Sequence, residues 1–169
     1  DEKGNLVSKE KLFQNMKHHI TASMERYKDV VYAWDVVNEA ISDGNRPGMG
    51  EKANPYRNSP LYQIAGDEFI KKAFIYAREA DPNALLFYND YNAVIPQKRD
   101  RIYNMVKSMK EEGIPIDGIG MQGHYNIYGP SIEDVDAALT KYATIVKHIH
   151  ITELDIRANE EMGGQLNFS

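Results

Sequence analysis

The chain contains no cysteine. Disulfides and thiolate metal sites are therefore excluded, although zero cysteine does not decide the compartment. No apolar run approaches the ~20 residues that a membrane-spanning helix needs. Lys and Arg number 20 against 25 Asp and Glu, for a net charge of −5. The basic residues are scattered and form no stripe, which argues against nucleic acid or an anionic membrane as a partner and leaves a neutral ligand compatible. The five histidines lack the i, i+4 pairing of a helical zinc site, so no metal or other cofactor is expected. Asp1 to Lys11, DEKGNLVSKEK, is polar and does not read as a signal peptide. Either the protein is cytosolic or its leader lies elsewhere.

What is present is a 42% hydrophobic composition in 169 residues. That is enough for one core, as a single domain or part of a larger one. A helix is expected from Ser8, its cap, to about Tyr27, with Leu12, Met16, His19, Ile20, Met24 and Tyr27 at helical spacing. Val30 to Asn38 reads as the first strand, followed by a polar loop from about Ser42 to Ser59. Ser59-Pro60 opens the next helical region, with an interruption at Gly66 and a stop at Asp81-Pro82. ALLFYND (84–90) reads as the second strand, 96–112 as a helix ended by Gly113, and IDGIGMQGH (116–124) as the third strand. Ser131 and Asp134 approximate a capping box for a helix carrying Val135, Leu139, Tyr142 and Val146. HIHITELDI (148–156) is the fourth strand. This alternation implies an α/β fold with a parallel sheet and right-handed crossovers.

The strand ends read Asn38-Glu39, Asn89-Asp90-Tyr91-Asn92, Gln122-Gly123-His124 and Thr152-Glu153-Leu154-Asp155. Polar and titratable groups thus follow apolar strands at the carboxyl end, where parallel α/β folds build their sites. Glu39 and Glu153 suit glycoside hydrolysis, which needs one protonated carboxyl and one ionised carboxylate. Spacing alone leaves open a second reading, in which both are surface or helix N-terminal charges. Trp34, the only tryptophan, reads as packing between sheet and helices. Asp35 reads as a structural polar group deeper on the Glu39 face. His148 and His150 read as scaffold, and His18 and His19 as surface or packing residues.

YAWDVVNEAI and ITELDI, with FYNDYN and GIGMQGH between them in order, resemble glycoside hydrolase family 10, the retaining endo-β-1,4-xylanases. The resemblance runs over essentially the whole chain. It implies a (β/α)8 barrel, of which this chain matches the fourth to seventh strands, so an incomplete barrel of four parallel strands is expected over 1–169. It further implies Glu39 as the acid/base and Glu153 as the nucleophile, with carboxyls about 5–5.5 Å apart. Asn38 would bind the sugar 2-hydroxyl, and Gln122 and His124 would line the same subsite. His124 and Asp155 would orient Glu153, and Tyr91 and Asn92 would lie toward the leaving group. The family's first three strands and its eighth normally bring a Lys, a His and a Trp that grip sugar, and none of these is matched here.

The substrate implied is xylan or a xylo-oligosaccharide, and the location implied is secreted, periplasmic or cell-surface, in a bacterium. A half-barrel that binds sugar weakly, or acts only with a complementing chain or a second copy, is the alternative. A cellulase is less favoured by the wording of the motifs.

Overall fold

A computed structural model describes residues 6–43 and 54–158. Residues 44–53, most of the loop expected after the first strand, lie outside the described residues. The elements run α1 (Lys9–Tyr27), β1 (Ala33–Asn38), α2 (Pro60–Ala65), α3 (Glu68–Ala80), β2 (Leu85–Asp90), α4 (Pro96–Glu111), β3 (Gly118–Asn126), α5 (Ile132–Ala143) and β4 (His148–Arg157). The four strands form one parallel sheet in the order β1-β2-β3-β4. Each strand pairs with the next in sequence, as crossover connections demand. The result is four consecutive strands of a barrel wall with helices on one side.

Local chemistry sets the helix ends. The hydroxyl of Ser8 accepts from the Lys11 amide, that of Ser59 from Tyr62, and Ser131 and Asp134 complete a reciprocal capping box. The interruption expected at Gly66 is real. Its φ of +61° takes the chain out of helical geometry, separating α2 from α3, where glycine carries no Cβ penalty.

Two expected boundaries move. β1 begins at Ala33 because its first partner, Leu85, begins β2 there; Val30 and Tyr32 are 81% and 73% exposed. β3 runs on to Asn126 because β4 continues beside it to Arg157. On α1, Leu12 and Met24 are buried as expected, whereas His19 and Tyr27 face water.

The helix-facing side of the sheet carries Leu86, Tyr88, Ile119 and Met121, packed with Ile70, Phe74, Ile102, Val106 and Tyr142 into one apolar core. Trp34 stands opposite Leu86 in register and packs against this core. The other side carries Asp35, Phe87, Asn89, Gln122, His150 and Thr152, and Phe87 stacks on His150 at 4.1 Å between ring centres. Central β2 and β3 are buried over most of their length, while β4 is open along its carboxyl half.

Candidate active site

The alternation of a strand sends successive side chains to opposite faces. At two places this sheet breaks that rule. The β1–β2 register shifts between Asp35 and Val37, and the β3–β4 register between Gln122 and His124. Glu39, beyond the first shift, and Glu153, inside the second, both adopt left-handed backbone, each at φ +55°. Asn92, just past β2, is the third such residue at +53°, and no other non-glycine described residue has positive φ. A non-glycine residue there costs about 1–3 kcal/mol and persists only where its surroundings over-determine it.

The consequence is that neighbours in sequence point the same way. Asn38 and Glu39 both reach the inner face, and so do Thr152 and Glu153. Gln122 Nε2 donates to Asn38 Oδ1 at 3.0 Å and to Glu39 Oε1 at 3.2 Å. Asn89 Nδ2 donates to Asn38 Oδ1 and to Glu153 Oε1, both at 3.1 Å. An unbroken chain of amides therefore joins the two carboxylates. The Thr152 hydroxyl donates to Asn89 Oδ1 at 2.7 Å, which fixes the amide with its NH2 toward Glu153. Gly120 makes room: a Cβ there would lie 2.4 Å from Asn89 Oδ1.

On the far side of Glu153, His124 Nε2 contacts Oε2 at 3.1 Å while its Nδ1 contacts Asp155 Oδ2 at 2.6 Å. The bond to Asp155 first, and that to Glu153 second, hold the imidazole pKa above its ordinary 6.5. The expected Glu153–His124–Asp155 network is thus present. Simple alternation is not its cause, since the register shift intervenes. Asp35 lies on the same face, exposed rather than enclosed in hydrogen bonds. Partial loss of water, and then the charge of Glu153, raise its carboxyl pKa, with His150 opposing.

Glu39 has a different setting. Its Oε2 accepts from Arg57 Nη1 at 2.9 Å. The residues just after it are pinned from the helix side, where the buried Tyr88 hydroxyl accepts from the Ala40 and Ile41 amides at 3.1 and 3.0 Å and donates to Asp90. Buried Lys98 lies 2.8 Å from both Asp90 and Asp43. Burial raises the Asp90 carboxyl pKa, with Lys98 opposing.

Tyr91 and Asn92 join this cluster rather than the carboxylate pair. The Tyr91 hydroxyl donates to Asp43 at 2.8 Å, and the Lys98 ammonium sits 3.3 Å from its ring centre. Burial and Asp43 push that phenol up to about 12.

Of the expected site residues, Asn38, Glu39, Gln122, His124, Glu153 and Asp155 come together. Asn89, Thr152 and Arg57 are additional. Asn89 and Thr152 sit within the strand-end motifs, two and one residues from a polar neighbour already singled out. Arg57 carries no local signal, because only the return of its loop brings it back to Glu39. Among the described residues no group of three or more His, Asp or Glu could hold a metal ion.

Residues 2–167 match the family model for Glycosyl hydrolase family 10. The chain belongs to glycosyl hydrolase family 10. It is 58% identical over 174 residues to an endo-1,4-beta-xylanase/feruloyl esterase of Xylanibacter ruminicola, covering 100% of this chain and 24% of that protein. An endo-1,4-beta-xylanase of Geobacillus stearothermophilus is 49% identical over 156 residues, covering 92% of this chain and 45% of that one. A solved psychrophilic glycoside hydrolase family 10 endo-beta-1,4-xylanase superposes with a TM-score of 0.90 at 65% identity, over 97% of this chain and 49% of that chain. The chain thus spans at most about half the length of these family 10 proteins, in keeping with four strands of a (β/α)8 barrel.

Proposed function

We propose that this chain is the carboxylate-bearing part of a retaining endo-1,4-β-xylanase. The observation that carries the reading is the pair of left-handed glutamates, Glu39 just past β1 and Glu153 within β4, linked through Asn38, Asn89 and Gln122. Glu39 acts as acid/base: it protonates the departing glycosidic oxygen, then takes a proton from the attacking water. Glu153 acts as nucleophile. It forms the bond to C1 as the glycosidic bond breaks, and water later displaces it. His124 and Asp155 orient Glu153. Asn38 and Gln122 are placed to meet the sugar next to the cleaved bond, where a contact to the 2-hydroxyl strengthens in the transition state. Tyr91 and Asn92 flank the leaving-group side.

The substrate is xylan or a xylo-oligosaccharide, and a polymeric substrate places the enzyme outside the cytoplasm or at the cell surface. The inner face of the sheet is open, which favours completion of the barrel by its remaining strands or by a second copy. A light-scattering mass of one chain at high concentration would count against self-association. The second reading, a half-barrel inert by itself, rests on the same open face.

The test is reducing-sugar release from xylan by the 169-residue chain, alone and mixed with a fragment supplying the other barrel strands, with Glu153→Ala as control. Release that the substitution abolishes supports the xylanase reading. A folded, completed barrel that releases nothing refutes it.

A further inference from the structure

Glu39 has to serve twice with opposite protonation, and the residue facing its free side is Arg57. This loop residue is positioned with care. Its amide donates to the Ala40 carbonyl at 2.8 Å, the Ser42 amide donates to Pro55 at 2.8 Å, and Ile41 and Tyr56 form an antiparallel bridge between these bonds. On its other side the Ser59 amide donates to the Arg57 carbonyl at 2.8 Å, and Ser59 caps α2. The backbone of Arg57 is therefore tied to the segment that leaves Glu39 and to the helix that follows. Only its side chain is left to move, and that side chain is half-exposed.

The guanidinium donates to Oε2 of Glu39 while Gln122 donates to Oε1. Each carboxylate oxygen has two lone-pair sites, so with one donor on each Glu39 can still receive a proton. This is the arrangement of the base step, in which Glu39 receives the proton of the attacking water as the C1–Glu153 bond breaks and its electron pair returns to Glu153. In the acid step the carboxyl is neutral and turns its O–H toward the glycosidic oxygen, and with the charge that held the guanidinium gone one donor can withdraw. Gln122 is 3% exposed and shared with Asn38, whereas Arg57 is free to swing into water. Around them stand Tyr91, Asp43 and Lys98 on the leaving-group side and the Glu153–His124–Asp155 network across the cleft.

We infer that Arg57 is a positioning residue for Glu39 that holds its carboxylate in the base geometry and releases it for the acid step. The inference rests on the xylanase reading. Its role differs from that of a scaffold residue in one respect: it matters most after the glycosyl-enzyme has formed.

The experiment has two arms. In the first, the guanidinium NMR signal of Arg57 is followed in the 169-residue chain with and without Glu39→Gln; a shift of that signal is expected. In the second, Arg57→Met and Arg57→Lys are assayed on xylan and on dinitrophenyl β-xylobioside, whose leaving group needs no acid, using the chain alone or completed by the other barrel strands. Arg57→Met should lower kcat on the aryl substrate about tenfold, a loss no larger than general acid–base groups supply, and leave kcat/KM on xylan, which reports only the steps up to the glycosyl-enzyme, within about twofold. On the aryl substrate kcat and KM should fall together, leaving kcat/KM within about twofold as the glycosyl-enzyme accumulates. Azide, an anionic nucleophile that needs no base, should restore kcat, and Arg57→Lys should recover most of the activity.

An unmoved guanidinium signal overturns the inference. So does a Met variant that matches wild type, or one whose kcat/KM falls equally on both substrates without azide rescue. A folded wild type, completed by the other barrel strands, that hydrolyses neither substrate refutes the xylanase reading and takes the role of Arg57 with it, while the NMR arm still reports whether the pair exists.

Discussion

Glu39 and Glu153 are turned to the inner face by the same left-handed backbone step and are then held by different means. Glu39 follows a register shift and Glu153 sits within one, both are at φ +55°, and both share the inner face with the residue before them. Glu39 accepts from a permanent cation on a loop and from a neutral amide. Glu153 accepts from Asn89 and meets a histidine that is itself shared with Asp155. The central strand β2 serves both ends with consecutive residues: Tyr88, facing the helices, grips the chain after Glu39, and Asn89, facing the cleft, grips Glu153. The backbone device sets where each carboxylate points. The partners set what each can do, a titratable network suiting a group that must stay ionised and a mobile cation suiting one that must change.

The largest effect should come from removing each carboxylate in turn. In the assembled enzyme Glu153→Ala should cost about four orders of magnitude in kcat on xylan, or ~5.5 kcal/mol of barrier. Glu39→Ala should cost about 10²–10⁴ on xylan and far less on a dinitrophenyl xylobioside. Azide sharpens the distinction. It should yield the β-azide with Glu39→Ala, by attack on the glycosyl-enzyme, and the α-azide with Glu153→Ala, by direct displacement. The same azide anomer from both variants would show that the two ends are not divided as acid/base and nucleophile.

The next effect isolates the β2 hub. Asn89→Asp keeps shape and keeps the acceptor for Thr152, but it replaces the donor toward Asn38 and Glu153 with a second anion. We expect kcat/KM to fall about a hundredfold, ~2.7 kcal/mol, with the aryl substrate affected as much as xylan. A loss confined to xylan would assign Asn89 to the Glu39 end instead. Tyr88→Phe should act on stability more than on chemistry. It strips an acceptor from two buried amides and a donor from Asp90, and at about 1–3 kcal/mol for a buried group left unsatisfied we expect urea unfolding to report a loss of about 2 kcal/mol. A neutral Tyr88→Phe would mean that water replaces the hydroxyl.

Much of this was legible in the sequence, and the reasons for the remainder are physical. Helical spacing and caps located α1 through α5, and Gly66 marked a real break. The apolar runs located the strands and put Glu39 at the carboxyl end of β1, while β4 continues past Glu153 to Arg157. Strand starts were less legible: Val30 and Tyr32 have the composition of a strand, but burial requires a partner, and β2 begins only opposite Ala33. A register shift has no composition of its own, so the sequence did not announce that Thr152 and Glu153 would share a face. Tyr91 was expected toward the leaving group; that its ring lies against Lys98 was not legible, since no strand pattern encodes a contact between residues seven apart. Arg57 was invisible because its partner is set by how a loop returns.

The smallest effect tests the Glu153 end without any substrate. Asp155 and Glu153 raise the His124 pKa above 6.5, so its NMR titration midpoint should lie above that value. Asp155→Asn, which removes the larger contribution, should lower it more than Glu153→Gln does. The sign for stability follows by linkage. A group whose pKa is higher folded than unfolded stabilises the fold fully below the unfolded value, near 6.5 for histidine, and this contribution vanishes as pH rises through the folded value. The stability difference between wild type and His124→Gln should therefore shrink across that window, from mildly acidic to neutral pH. At the Glu39 end Arg57 stays charged throughout that range, so Arg57→Met should give a difference without this step. A His124 midpoint at or below 6.5, or equal pH profiles for the two variants, would erase the contrast between a titrating partner and a permanent one.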